Sequence, residues 1–584
     1  MSGSEARSST RVPKKLPWRR AAAVLGLSFI VACGGSGGGG CGAGGLTKIP
    51  NGYPVDKRID NAIQLRVTKG FFDFLETNGK AIVTKLLPGG GDIPVPSQCG
   101  GDTEICCGQM CKVKLDYQSL KFDPKPPTTT ALTLRAKIKT SEPMKVKAKV
   151  KLGPIPVTVD CKLALDTARS GKPDVGVTMA VATNVNATTK LTSFDFDDKS
   201  VDILDLDSGD IDISGSLGCD LLDWIKGPFI GTLKDQLKRQ LAAPLDSLMC
   251  QKCSTKPDCS SLANQGCVNN YCMRDGTCLQ LIGTEGRIDL GSALGAYSPA
   301  AKTAALDLYA AAGNYATVEA LPTAGMSLGM LGGTTSQNRS TCVPVRPAPT
   351  GPAPGKSAAF AGGTTPNGKP YHIGAGISTL ELNSVGYTLY DTGALCLDVG
   401  TAQVEMLSSG LLSALIPSLN DLTRGANSAV KLVGRPQQPP TFVLGKGTYK
   451  TDAMGKKIID DPLMHVVIKD MALDFYVYID ERYVRFMRQT VDLDLPLGLD
   501  VDAMNQIVPI LGDLAMAVGN VRVSDSSLLK ESPAQLARLF PSLLPVLAGS
   551  LSGSLSPIKL PDIMGLQLSP VQITSTADPT GKLS

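Results

Sequence analysis

The stretch MKVKAKVKL, Met144 to Leu152, alternates lysine with Met144, Val146, Ala148 and Val150. Successive side chains of an extended strand point to opposite faces, so this period of two predicts charge on one face of a sheet and apolar groups on the other. The runs ALTLRAKIK (Ala131–Lys139) and VTVDCKLALD (Val157–Asp166) alternate in the same way. Together they predict an antiparallel sheet with one wet face and one face turned to a core. The acidic run DFDDKSVDILDLDSGDIDI (Asp195–Ile213) continues the alternation around a Ser208-Gly209 turn.

A sheet with one apolar face needs a second layer. Upstream, NAIQLRVT (Asn61–Thr68) predicts a short strand and KGFFDFLETNGKAIVTKLL (Lys69–Leu87) a helix. Phe71, Phe74, Leu75, Ile82 and Leu86 recur there at helical spacing, and Pro88-Gly89-Gly90 stops the element. Downstream, Leu222, Ile225, Phe229, Leu233, Leu237 and Leu241 mark a second amphipathic helix.

The second half repeats this plan. Helical stretches near Ile377–Leu395 and Val404–Leu422 precede two alternating strands. In MALDFYVYID, Met471, Leu473, Phe475, Val477 and Ile479 share a face; in VDLDLPLGLDVD, Val491, Leu493, Leu495, Leu497, Leu499 and Val501 do. Ser532-Pro533-Ala534-Gln535 reads as a capped helix start, and Pro541 and Pro545 must bend or interrupt that helix. A closing strand is expected at MGLQLSPVQI (Met564–Ile573). With 584 residues the chain exceeds one core. The organisation expected is a signal and lipidated cysteine at 1–33, a tether at 34–48, a sheet-and-helix domain at 49–249, a cysteine-rich insert at 250–280 and a second such domain at 281–584.

Arg11, Lys14, Lys15, Arg19 and Arg20 precede the apolar run Ala21–Ile30, which is too short to span a bilayer and reads as an export signal. The flanks of Arg19-Arg20 fit general secretion better than twin-arginine export. The signal ends in IVAC (Ile30–Cys33), which resembles the bacterial lipobox. That resemblance implies diacylglycerol attachment and N-acylation at Cys33, and several acyl chains anchor stably where one does not. GGSGGGGCGAGG then supplies a flexible tether, and Gly34 in place of aspartate implies a cell-envelope protein lipid-anchored in the outer membrane.

Cysteine use agrees with export. Of sixteen cysteines, those past the tether fall in even groups. These are Cys99, Cys106, Cys107 and Cys111; Cys161 and Cys219; Cys250, Cys253, Cys259, Cys267, Cys272 and Cys278; and Cys342 and Cys396, with Cys41 left over. Even groups in an oxidising compartment predict disulfides, with connectivity open. The Cys250-to-Cys278 spacings supply no second CxxC and no histidine, so zinc is disfavoured. A net charge of +5 over the whole chain and the lack of an aromatic-interleaved basic patch exclude nucleic acid as a partner. Only His372 and His465 are present, far apart in sequence, which leaves a Ser-His-Asp triad or a histidine metal centre unsupplied. Both read as structural, and neither catalytic residues, a metal nor a cofactor are expected. The aspartates from Asp195 to Asp212 lack the glycine and terminal glutamate of a calcium loop and read as the solvated face of a hairpin.

IQLRVTKGFFDFLETNGKAIVTKLL (Ile63–Leu87), ISTLELNSVGYTLYDTGALCLDVG (Ile377–Gly400) and SPIKLPDIMGLQLSPVQI (Ser556–Ile573) resemble the opening strand and long helix, the corresponding second-half helix and the closing strand of one family. It is the bactericidal/permeability-increasing and lipopolysaccharide-binding protein family, the two-barrel members of the tubular lipid-binding (TULIP) superfamily. The fold class this implies is α+β: two TULIP-like barrels, each a curved antiparallel sheet wrapped around a long helix, with a small disulfide-rich insert between them. The resemblance also implies a Cys161–Cys219 disulfide and an apolar slot for acyl chains. The insert stands where relatives have a proline-rich linker, and residues 299–370 include an extra segment, so barrel placement departs from the family pattern.

On this basis the lipid-pocket candidates are Phe71, Phe74, Leu75, Ile82, Leu86, Leu132, Leu134, Val146, Ala148 and Val150, with the small residues of MKVKAKVKL facing an interior shared with the Phe71–Leu86 helix. Lys145, Lys147, Lys149 and Lys151 are headgroup candidates, against the plainer reading of a solvated sheet face that discourages edge pairing. The function implied is binding or transfer of a lipid or lipopolysaccharide-like amphiphile without catalysis. The alternative is a surface scaffold or adhesion lipoprotein whose cysteine-rich insert binds a protein partner.

Overall fold

The computed structural model describes residues 47–576 apart from 48, 51, 82–90, 153, 169–171, 197–200, 216, 250–264, 269–270, 275–276, 279–282, 292–294, 296–297, 321–323, 358–361, 406, 454–456, 515, 545–556, 558–561 and 564–565. Cys33, Cys41, Cys250, Cys253, Cys259, Ile82 and Leu86 therefore lie outside the described residues. What is described is mostly curled antiparallel sheet with few helices.

Two sheets form the first half. One has the order β10 (Asp202–Leu204), β8 (Val175–Val185), β5 (Thr129–Thr140), β4 (Lys112–Lys125), β2 (Asp92–Pro94), with β9 (Thr192–Phe196) also on β8. The other has the order β11 (Ile211–Gly215), β7 (Ile155–Leu165), β6 (Met144–Leu152), β3 (Thr103–Ile105). The lysine alternation behaves as the pleat demands: Met144, Val146, Ala148 and Val150 are buried and Lys145, Lys147, Lys149 and Lys151 exposed. The Thr167 hydroxyl takes the Ile138 N–H at 2.7 Å and Lys139 bridges Asp166, which pins the two sheets together at one corner.

Into the space between them comes α2 (Asp223–Met249), whose Ile225, Phe229, Leu233 and Leu237, with Leu222 just before them, are buried among strand residues. The side chain of Leu241 is outside the described set. The interior facing MKVKAKVKL is thus shared with α2; of the expected Phe71–Leu86 helix, the described residues up to 81 supply no member of this core, and Ile82 and Leu86 lie outside the described residues. The described part of that earlier helix, α1 (Lys69–Thr77), has no buried residue. Its leading strand, β1 (Ile59–Thr68), belongs to another sheet.

That sheet is central, with the order β15 (Gly283–Asp289), β16 (Ala305–Glu319), β17 (Gly325–Ser336), β1, β18 (Ile373–Ile377). One strand from the first half thus pairs with strands drawn from beyond the insert. On one face Phe194 of β9 packs against Ala316 and Leu328. Helix α3 (Thr379–Asp391) also packs on this sheet: Leu389 meets Leu306 and Leu308, and the Thr334 hydroxyl is 3.2 Å from Ser384 and 3.0 Å from Thr388.

The second-half sheet has the order β19 (Leu397–Gly400), β20 (Val430–Pro436), β24 (Met464–Ile479), β25 (Arg482–Val501), β26 (Ile507–Leu511). Here β21 (Thr441–Leu444) joins β24 and β27 (Val518–Ser524) joins β25. Met471, Leu473, Phe475 and Val477 share a core with Val491 and Leu493, as the alternation requires. The expected helix near Val404–Leu422 is two five-residue pieces, α4 (Ser409–Ser413) and α5 (Ser418–Leu422), divided at Pro417. Helix α6 (Pro533–Leu536) carries the expected capping box. The chain then turns at Ala537-Arg538 and resumes helix at 539–544. Pro541 offers no N–H to the Ala537 carbonyl, which accounts for the break.

Smaller pieces are a ribbon of β12 (Gln265–Val268), β13 (Tyr271–Arg274) and β14 (Thr277–Cys278) in the insert, and the pairs β22 (Thr448–Thr451) with β23 (Lys457–Asp461) and β28 (Asp562–Ile563) with β29 (Leu566–Gln567). Of the expected closing strand, Leu566–Gln567 form β29, Met564 and Gly565 lie outside the described residues, and residues 568–576 have no regular structure, which corrects the expectation over its second half. There Ser575 donates to the Gly445 carbonyl, so side chains hold the segment instead of a ladder. The acidic run is not one hairpin either. Asp207 and Asp210 form a capping box around the turn and both hold Lys172, at 3.0 and 2.9 Å, while Asp205 pairs with Arg135 at 2.6 Å.

Candidate lipid-binding site

The segment KGFFDFLET (Lys69–Thr77) puts Phe71, Phe72, Phe74 and Leu75 into barely more than two turns, and every one of them is half-buried. Lys69 pairs with Asp73 one turn on at 2.5 Å, which favours helix on the wet side. The seat of α1 is an open sheet edge. Among the described residues, strand β2 covers β4 only at Lys112–Lys114, and no other strand pairs with β4 on that side. Glu76 accepts the Phe122 N–H there at 2.7 Å, and the Phe72 ring lies 5.1 Å from the Phe122 ring. A helix over unpaired strand groups is one of the standard protections of an edge.

Just past α1, Gly79 is buried against β4: a Cβ there would sit 2.0 Å from the Tyr117 hydroxyl and 3.1 Å from Leu120 Cβ. Only glycine allows this approach. The β4–β5 register shifts between Tyr117 and Ser119, so the strand is irregular where the chain crosses it. Burial raises the Tyr117 pKa; the Leu120 backbone works against that rise and the Glu76 charge adds to it. At the other end, the Thr68 hydroxyl donates to the Tyr371 carbonyl at 2.5 Å, and the Phe74 ring stands 5.4 Å from His372. His372 is a packing partner here. His465 instead meets Asp494 of β25 at 2.6 Å.

The sequence candidates divide into three groups. Phe71, Phe74 and Leu75 stand on α1, and half-buried Leu132 lies opposite Phe122 in register. Phe122 meets Phe72 on its α1 side, and both Phe122 and Leu132 also pack against the rim of the α2 core, so the α1–β4 seam adjoins that core. Leu134, Val146, Ala148 and Val150 are 4%, 1%, 1% and 7% exposed and already packed among side chains of the α2 core. The lysines stand on the outer face of a different sheet, where Lys149 lies 3.2 Å from Asp102 and Lys147 3.9 Å from Asp160. Both pairs are well exposed, so they dilute the basic row without contributing much stability. Sequence reading missed Phe72 and Phe122. Phe72 falls off the i, i+3, i+4 stripe, and Phe122 sits among charged residues; only the edge geometry joins them.

Among the described residues, disulfides join Cys99 to Cys107, Cys106 to Cys111, Cys161 to Cys219 and Cys342 to Cys396. Cys267 is also bridged and lies opposite Cys272 in the β12–β13 register; Cys278 ends the ribbon at β14. Two adjoining clefts of about 810 and 500 Å³ lie in the second half, around Pro417, Lys530 and Glu531. Ser418 donates to Glu531 and Lys530 pairs with Asp421 at 2.9 Å, so their polar walls are mutually satisfied. Among the described residues no group of three or more His, Cys, Asp or Glu could hold a metal ion, and no helix is long and apolar enough to cross a membrane.

No protein-family model matches the chain, and no curated protein matches it significantly. Solved structures similar to it include a lipopolysaccharide binding protein, at 12% identity over 86% of this chain and 93% of that one, with a TM-score of 0.34. Another is P47 of Clostridium botulinum E1, at 8% identity over 86% and 90%, with a TM-score of 0.20. Takeout 1 of Epiphyas postvittana aligns at 11% identity over 30% of this chain and 90% of its own, with a TM-score of 0.18.

Proposed function

We propose that this chain is an envelope lipoprotein, anchored through Cys33 in the outer membrane, that binds the acyl part of an amphiphile at the α1–β4 seam and performs no chemistry on it. The observation that carries the reading is the state of α1: four large apolar side chains in nine residues, none of them buried. An acyl chain laid along Phe71, Phe72, Phe74, Leu75, Phe122 and Leu132 would complete their burial, at about 0.8 kcal/mol for each CH₂ removed from water. In this reading the two halves act as TULIP-like barrels, and the seam, not the α2 interior, is the slot. Transfer between membranes would follow from a seam open along its length.

The test is native mass spectrometry of the detergent-extracted full chain, with uptake of a fluorescent acyl lipid. Co-purifying lipid, and uptake that falls at least tenfold in Phe72→Asp, are expected; an empty parent protein without uptake would refute the reading. A second reading draws on the packed α2 core: a scaffold lipoprotein binding a protein partner at the insert, where Val268 is 51% exposed. It predicts no uptake and a loss of partner capture on Val268→Asp.

A further inference from the structure

The outer face of the second-half sheet carries an arrangement that the acyl site does not use. Asp474 of β24 is completely buried, yet it points away from the core formed by its neighbours Leu473 and Phe475. Three arginines converge on it. Arg488 of β25, directly opposite, donates from Nε at 2.7 Å and from Nη2 at 3.1 Å; Arg485 donates from Nη1 at 3.4 Å; and Arg435 of β20 donates from Nη2.

Arg485 and Arg488 are three residues apart and in a regular strand would face opposite sides. The β24–β25 register shifts between Phe475 and Tyr476, with Phe475 opposite Met487 and Tyr476 opposite Arg485, so Phe486 is an extra residue. This bulge turns both arginines to the Asp474 side and leaves Phe486 and Met487 fully buried. Bulges commonly serve to re-aim a side chain beside a site.

One bidentate arginine satisfies a carboxylate. Here three guanidinium groups, 37%, 36% and 32% exposed, surround it, and among the described residues the other acid touching them is Asp525, 3.0 Å from Arg485. Three positive and two negative groups leave one positive charge, with outward N–H groups fixed in orientation by the buried carboxylate. Burial alone would raise the Asp474 pKa, but the Arg488 hydrogen bonds and the charges of Arg488, Arg435 and Arg485 outweigh it and hold the carboxyl below its ordinary range. The anchor therefore stays ionised.

We propose that Arg435, Arg485 and Arg488 form a binding site for a phosphate group, with Asp474 as the buried anchor that holds their forks in place. Planar paired donors match phosphate oxygens in a way a lysine row does not. This site is independent of the acyl seam: it lies in the other half of the chain and stands or falls without it.

The test uses the full chain. Inorganic phosphate protects Arg435, Arg485 and Arg488 from phenylglyoxal, mapped by peptide mass spectrometry, and leaves Arg522 reactive; Arg522 of β27 pairs with Asp470 of β24. By calorimetry, R435Q and R485Q each weaken phosphate binding about tenfold, the loss of one charge-assisted contact, and R522Q does not. Arg488 keeps Asp474 paired in both variants, and the protection experiment on the parent chain needs no variant. In a second arm, a preference for phosphatidylglycerol over phosphatidylcholine vesicles that disappears in R435Q and R485Q assigns the phosphate to a lipid headgroup. Protection by free phosphate with unchanged vesicle preference assigns it to a soluble phosphate ester. Equal modification with and without phosphate, together with unchanged vesicle preference, overturns the proposal.

Discussion

Helices α1 and α2 read alike in the sequence, each an apolar stripe at helical spacing, and the fold uses them in opposite ways. Helix α2 enters the space between two sheets and buries Ile225, Phe229, Leu233 and Leu237. Helix α1 leaves Phe71, Phe72, Phe74 and Leu75 only half-buried and lies along an edge. An apolar stripe states that a helix needs cover, and the strand leading into it decides whether the cover is protein. Strand β1 pairs on both sides within the central sheet, so the chain enters α1 from that sheet and not from the two sheets that enclose α2. Helix α2 comes after Cys219, which is tied to Cys161 on β7 and delivers the chain directly over the apolar face of the sheet.

The largest effect expected from this contrast is on the bond that aims α2. Replacing Cys161 and Cys219 by serine opens a 58-residue separation and should cost about 4 kcal/mol in reversible denaturant unfolding. A loss under 1 kcal/mol would mean that α2 finds its place without the tie. Next, Leu233→Ala, at a fully buried site, should cost about 3 kcal/mol by the same assay.

Helix α3 sharpens the comparison, because it is buried like α2 but seated by polar groups. Its Glu381 is 4% exposed, and burial pushes its carboxyl from 4.5 up to about 7 against the pull of the Gly333 N–H. Gly332 makes the room: a Cβ there would lie 2.5 Å from Ala62 Cβ and 3.1 Å from Glu381 Oε2. A folded pKa above the unfolded value means that the native state holds the proton more tightly. The contribution is complete below pH 4.5 and is lost as pH rises through about 7. Stability should therefore fall by about 2–3 kcal/mol between pH 5 and 8 from this group, and Glu381→Gln should flatten that dependence. An unchanged profile in the variant would remove Glu381 as its cause.

The smallest stability effect belongs to α1. Phe74→Ala, at a half-buried position, should cost only about 1 kcal/mol while sharply reducing acyl-lipid uptake. A loss as large as that of Leu233→Ala would place α1 in the same class as α2.

The strands were legible because burial on one face leaves a period of two, and β5, β6, β7, β24 and β25 all show it. The α6 cap was legible because Ser532 and Gln535 satisfy each other's backbone N–H groups locally. What sequence could not supply was partnership across long separations. Nothing near Ile63 states that it will face Met330 on one side and Ile377 on the other. For the same reason the alternation turns Val146 and Ala148 inward without stating that α2 is a helix they meet. Phe122 joined the candidate site only through Glu76 and Phe72, a contact that spans 46 residues. The arginine cluster was illegible because its geometry depends on one bulged residue, Phe486, with no local signature.

The most direct test of the seam as the acyl site is a photo-crosslinking map. A fatty acid carrying a diazirine near its tail, bound to the full chain and activated, should label residues 69–81 and 117–132. Labels concentrated instead on 144–150 and 225–237 would place the acyl chain in the α2 interior and contradict the assignment of the seam.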